Sequence, residues 1–90
     1  MEDRQNYSQL ISENRFEEAL NVLNKLIAEK PEDDVLLFER GKLKWRLGDR
    51  SGASNDYATS SAINPDGPAK FALEQAQEIA DFFNPDLYNP

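Results

Sequence analysis

The sequence predicts an all-α fold built from antiparallel helix-turn-helix repeats, with about five helices. Three observations support this fold class. Apolar residues recur every three or four positions in successive segments, Asn, Gly and Pro separate those segments, and similar residues recur 34 positions apart. With 90 residues, 39% of them hydrophobic and 30% charged, the chain is the size of one small domain with a modest core.

The first two predicted helices cover residues 3–13 and 15–29 and are separated by Asn14. Asn is the non-glycine residue that best tolerates the left-handed conformation at the end of a helix. The second segment has the clearest helical periodicity, which is carried by Phe16, Ala19, Leu20, Leu23, Leu26 and Ile27. Pro31 disfavours the helical conformation of the residue before it and therefore ends this helix.

The next two predicted helices cover residues 35–47 and 49–63. Gly48 is expected to end the first of them in a left-handed conformation, and Asp49 is the expected N-cap of the second. Three adjacent acids at 32–34 allow two interpretations. The first interpretation is a site for a hard metal ion. The second, which we favour, is a helix N-terminus capped by Asp33 or Asp34.

The last predicted helix covers residues 68–83, after a turn rich in Pro, Asp and Gly at 64–68. Residues 84–90 follow as a short tail. Phe82, Phe83, Leu87 and Tyr88 place four large apolar side chains within the last nine residues. We therefore expect the tail to fold back onto the last helix or into a groove.

An internal repeat of 34 residues is visible by subtraction. Four pairs share this separation and fill four different roles: a turn residue, a small helix-contact residue, a large apolar residue and a terminator. The pairs are Asn14 and Gly48, Ala19 and Ala53, Leu23 and Tyr57, and Pro31 and Pro65. Small residues at such positions, Gly41 among them, allow adjacent helices to approach closely.

This pattern resembles the tetratricopeptide repeat (TPR) family. The matching residues are Phe16-Glu17-Glu18-Ala19-Leu20 with Pro31 in the first copy, and Gly41, Leu47-Gly48-Asp49, Ala53, Tyr57 and Asn64-Pro65-Asp66 in the second. The resemblance implies a single domain forming a right-handed superhelix. Repeat one covers about 3–31, repeat two about 34–65 and a capping helix about 68–83, with the tail at 84–90.

Composition argues against catalysis and against several classes of partner. The chain has neither His nor Cys, which removes imidazole, thiol and typical zinc chemistry. The acid pairs Glu17/Glu18 and Glu74/Glu78 lie along helices, so they do not form a convergent acid–base pair. A net charge of −7 disfavours nucleic acids and anionic membranes. We expect no enzyme activity, no cofactor, no membrane span or signal peptide, and a cytoplasmic location.

TPR-like proteins usually hold an extended peptide in the groove formed by the first helices of their repeats. The resemblance therefore implies a peptide- or protein-binding site made of Arg4, Ser8, Phe38, Lys42, Trp45, Arg46, Ala72, Ala76 and Ile79. Trp45 is the expected apolar anchor, and Lys42 and Arg46 are expected to pair with acidic groups of the partner.

Other interpretations of these residues and of the chain's function stay open. One alternative is that Trp45 is simply a core residue and that Lys42 and Arg46 are solvated surface bases. Two repeats are few for a stable array, so self-association as a homodimer is an alternative function. An enzyme is a third alternative.

Overall fold

A computed structural model describes the backbone of residues 3–82 and the side chains of residues 7–77. This part of the chain consists of five α-helices joined by short turns and contains no strand, which confirms the predicted fold class. The helices are α1 Asp3–Ser12, α2 Phe16–Glu29, α3 Asp34–Arg46, α4 Arg50–Ile63 and α5 Ala69–Phe82. None of them is long and apolar enough to cross a membrane.

Side-chain caps set the starts of α3 and α4. Asp33 Oδ1 accepts hydrogen bonds from the backbone N–H groups of Val35 and Leu36 at 3.0 and 3.1 Å. Asp33, and not Asp34, is therefore the N-cap of α3. Asp49 caps α4 as predicted, accepting from the N–H of Gly52 at 2.9 Å. Among the described side chains, no group of three or more acids is arranged to hold a metal ion.

Both predicted left-handed turn residues are confirmed. Asn14 has φ 63° and Gly48 has φ 91°, conformations that these residue types adopt more readily than others. The repeat also extends to one further pair of residues, which was not among the four pairs found in the sequence. Lys30 and Asn64, 34 residues apart, follow α2 and α4 with the same φ of −133° and with ψ of 71° and 88°.

Each helix packs against the next one along the chain, and the pairs enclose two apolar clusters. The first cluster lies among α1, α2 and α3 and consists of Tyr7, Ala19, Leu23, Ile27, Leu36, Leu37 and Leu43. The second cluster joins α4 to α5 through Ala53, Tyr57 and Ala76, with Phe38, Trp45, Ala72 and Leu73 packed against it. Both clusters reach the surface beside α3, where Leu43 of the first and Tyr57 of the second line cavities.

The contact between α3 and α4 requires a residue without a side chain at position 41. A Cβ atom at Gly41 would lie 2.6 Å from Cε1 of Tyr57 and 3.3 Å from the carbonyl oxygen of Ala53. Ala53 and its repeat equivalent Ala19 have no exposed surface. These three small residues allow close helix packing, as predicted.

Two polar side chains, one in α4 and one just after it, tie this helix to the start of α3. Ser60, which is almost fully buried, donates a hydrogen bond to the carbonyl oxygen of Asp34 at 2.8 Å. Asn64 Nδ2 donates to Oδ2 of Asp34 at 3.0 Å. Ser60 and Asn64 therefore have partners where α4 packs on α3, as buried polar groups require.

Candidate functional site

Helix α3 is flanked by two half-open cavities. The first has a volume of about 150 Å³ and is lined by Trp45, Tyr57, Ala72, Gln75 and Ala76, from α3, α4 and α5. We call it the tryptophan cavity. The second has a volume of about 140 Å³ and is lined by Ile11, Glu39, Lys42, Leu43 and Arg46, from α1 and α3. We call it the basic cavity. The helix thus contributes to two different recesses.

Five of the predicted binding residues line these two cavities. Trp45, Ala72 and Ala76 lie in the tryptophan cavity, whereas Lys42 and Arg46 lie in the basic cavity. The predicted residues of α3 are therefore divided between two recesses instead of facing one.

Of three other predicted residues, one lines neither cavity and two have side chains outside the described residues. Ser8 is exposed and borders neither cavity. The side chains of Arg4 and Ile79 lie outside the described residues, as does the tail at 84–90, so their predicted roles stay predictions.

Phe38, the remaining predicted residue, has a packing role. Its ring is half-buried, with its centroid 5.9 Å from that of Tyr57. The ammonium group of Lys42 lies 4.9 Å from the centroid of Phe38, within the range of a cation–π contact. Phe38 therefore supports both Tyr57, which lines one cavity, and Lys42, which lines the other.

Trp45 is partly a core residue, and its role as a binding anchor stays a prediction. Its half-buried side chain packs against the cluster of Ala53, Tyr57 and Ala76. It also lines the tryptophan cavity. An indole held by packing on one side and open on another is a rigid apolar contact surface, and fixing it on binding costs little conformational entropy.

The bases of α3 are not equivalent, because one buried acid binds two of them. Asp56 accepts hydrogen bonds from Nε and Nη2 of Arg40, both at 2.8 Å, and lies 3.3 Å from Nζ of Lys44. The carboxylate side chain is only 6% exposed. Its hydrogen bonds raise the pKa of the Arg40 guanidinium above its ordinary value. Arg40 and Lys44 therefore hold α3 and α4 together and are not available to a partner.

This ion-pair network was not predicted from the sequence, although a signal for it was present. Asp56 is the only acid within α4, and Arg40 and Lys44 are one helical turn apart on α3. A lone acid opposite two stacked bases in a helical hairpin favours an inter-helix ion pair. Arg40 also donates to Oδ1 of Asn24 at 2.9 Å, which connects α2 to the network.

The remaining bases near α3 contact aromatic rings. The guanidinium carbon of Arg46 lies 5.0 Å from the centroid of Phe16, and that of Arg50 lies 4.7 Å from the centroid of Trp45. Neither arginine forms an ion pair with an acid of the described residues. Among the described residues Lys42 has one acidic partner, Glu39 at 3.3 Å, and its own side chain is half exposed.

Arg50 was absent from the predicted set, because it belongs to the first turn of α4 and not to the face of α3. Only the turn at Gly48 brings it back over Trp45. The candidate site therefore consists of two recesses beside α3 and three bases with limited or no acidic pairing.

Comparison with known proteins gives one informative match. Neither a family model nor a curated protein matches the chain. The solution NMR structure of Bacteroides fragilis protein BF1650 superposes with a TM-score of 0.82 at 31% sequence identity. The match covers 99% of this chain and 91% of that one. The chain therefore belongs to the same family as Bacteroides fragilis protein BF1650.

Proposed function

We propose that this protein is a non-catalytic interaction module of the TPR type that binds an extended peptide or protein segment along α3. The observation that carries the proposal is the pair of cavities flanking this helix, which are lined by five residues of the predicted site. A segment crossing α3 would place one side chain in the tryptophan cavity and present polar groups to the basic cavity.

The size and lining of the tryptophan cavity support an apolar side chain as its occupant. A cavity of about 150 Å³ in another protein accommodates benzene, and this one has the same approximate volume. Trp45, Tyr57 and Ala76 supply an apolar wall that is already packed from behind. Because the wall is in place before binding, little energy is spent in arranging it.

The repeat geometry supports the TPR-type part of the proposal. Positions 34 residues apart have matching conformations: Asn14 and Gly48 are both left-handed, and Lys30 and Asn64 share one φ value. Stacked helical hairpins of this kind create extended surfaces that bind partners.

A peptide selection with a matched pair of charge variants tests the proposal. Twelve-residue peptides displayed on phage are selected on the immobilised full chain, and the dissociation constant of the best peptide is measured by calorimetry. We expect Lys42→Glu with Arg46→Glu to weaken binding about tenfold or more, since two cations at the site become anions.

The matched control is Lys25→Glu with Lys30→Glu, which changes net charge equally at two exposed positions outside both cavities. We expect the control to bind nearly as well as the parent, with circular dichroism unchanged in both variants. Equal losses of affinity in the two double variants would show that net charge, and not this site, controls binding. Undiminished binding by both would place the peptide elsewhere on the protein.

Self-association is a second candidate function, favoured by one observation on α5. Phe71 is 65% exposed, more than any other exposed large hydrophobic residue in the described part of the chain. An exposed aromatic ring on the outer helix of a short repeat stack is a surface that a second copy can bury. Sedimentation over a concentration series tests this function. A dimer that dissociates with Phe71→Glu supports it, and a monomer at every concentration excludes it.

A further inference from the structure

We propose that Arg50 and Trp45 together form a subsite for an acidic residue adjoining an apolar residue in the bound segment. This inference rests on the proposed function and makes the partner an acidic segment. It assigns the choice of partner to Arg50, a residue of α4 that lies outside the predicted groove face.

The first argument is the distribution of ion pairs. The chain has 17 acids and only 10 bases, so acids are available to pair with every base. Arg40 and Lys44 are bound to Asp56, and Arg15 is bound to Glu13 and Glu18. Arg50 instead stacks on an indole and pairs with no acid of the described residues. Its charge is therefore available to an anionic partner.

The nearest acid in sequence is already engaged elsewhere. Asp49 directs Oδ1 to the backbone N–H of Gly52 at 2.9 Å, where it caps α4. An N-cap carboxylate is held by this hydrogen bond and by the positive end of the helix dipole. Arg50 thus keeps its charge available although an acid precedes it.

The second argument is the geometry of the stack. A guanidinium that lies over an aromatic ring still presents hydrogen-bond donors at its edge, where they can bind a carboxylate with two parallel bonds. The guanidinium carbon of Arg50 is 4.7 Å from the centroid of the Trp45 ring. The ring also reduces the number of positions open to the arginine side chain, so less entropy is lost on binding.

The third argument is that the two contacts share one wall. The same indole contacts Arg50 and lines the tryptophan cavity. Because both contacts are made with one indole, we expect neighbouring residues of the bound segment, whose Cα atoms are about 3.8 Å apart, to supply them. An Asp or Glu next to the apolar residue satisfies both contacts at once.

Two synthetic peptides that differ only in charge test the inference. The acidic probe is acetyl-Gly-Ser-Asp-Leu-Asp-Ser-Gly-amide, and the neutral probe has Asn at both Asp positions. Binding to the full chain is followed by the fluorescence of Trp45, the only Trp of the protein, and by the amide NMR signals of residues lining the tryptophan cavity. We expect the acidic probe to bind about fivefold more tightly, as for a solvent-accessible ion pair.

Arg50→Gln is expected to reduce this fivefold preference to about one, whereas Arg50→Lys is expected to retain part of it. Lys25→Gln, an equal loss of charge at an exposed position on α2, is expected to leave the preference unchanged. Circular dichroism checks that each variant is folded. A preference that shrinks at high salt in the parent and is absent from Arg50→Gln supports the subsite.

Other outcomes overturn the inference and separate it from the proposed function. Equal binding of both probes, with NMR shifts at the tryptophan cavity, overturns the Arg50 subsite and leaves groove binding intact. An unchanged preference in Arg50→Gln also overturns it. If neither probe shifts these signals at millimolar concentration, the inference is overturned, and the phage-selected peptides then decide on the proposed function separately.

Discussion

Replacing Gly41 with Ala is expected to destabilise the protein, although the same change stabilises most helices. The new methyl carbon would lie 2.6 and 2.8 Å from Cε1 and Cδ1 of Tyr57 and 3.3 Å from the carbonyl oxygen of Ala53. Favourable carbon–carbon contacts require about 3.5–4.0 Å. Tyr57 is 5% exposed and its ring centroid lies 5.9 Å from that of Phe38, so moving the ring away from residue 41 disturbs this packing.

The net effect follows from two opposing terms. Ala is favoured over Gly within a helix by about 1 kcal/mol. Overpacking a well-packed core costs typically about 1–3 kcal/mol. Two carbon contacts below 3.0 Å and a third with the backbone favour the upper end of that range. We therefore expect Gly41→Ala to lower the free energy of unfolding by about 2 kcal/mol, the difference between these terms.

Urea unfolding, followed by circular dichroism and by Trp45 fluorescence, measures this loss. A double-mutant cycle with Tyr57→Leu identifies its cause. Because Leu lacks the ring edge, Gly41→Ala should cost at least about 1 kcal/mol less in that background. An equal cost in both backgrounds would refute the ring contact as the cause. A Gly41→Ala protein as stable as the parent would refute the packing argument itself.

Three further predictions concern the buried acid, the buried phenol and the tail. Asp56→Ala should cost about 2–3 kcal/mol in urea unfolding, since it leaves two partly buried bases without their acid; the exposed control Glu18→Ala should change stability little. Burial, and then the charges of Asp56 and Glu39, raise the pKa of Tyr57 above 10.0, so the folded state binds this proton more tightly than the unfolded state. The stability that the protonated Tyr57 contributes is complete below pH 10 and is lost as pH rises through the pKa of the folded state. The free energy of unfolding should therefore fall less steeply with alkaline pH in Tyr57→Phe. Residues 84–90 are predicted to pack on the last helix or in the groove, and random-coil NMR shifts there would contradict this.

The local features of the fold were predictable because they depend on residues close together in sequence. Asn14 and Gly48 indicated left-handed turns, and both have positive φ. Asp49 indicated an N-cap, and it accepts the expected backbone hydrogen bond. The predicted and observed helix bounds differ by about one residue, chiefly because cap residues were counted as helical in the prediction.

The helices, their caps and the 34-residue repeat were predictable from the residues alone, since periodicity and turn chemistry act over one or two helical turns. Which bases are available to a partner depends instead on how the helices pack. Asp56 lies 16 residues after Arg40, and packing α4 on α3 brings the two within 2.8 Å. The turn at Gly48 then places Arg50 over Trp45. Helical periodicity specifies the face on which a residue lies, but the neighbouring helix determines what that face contacts.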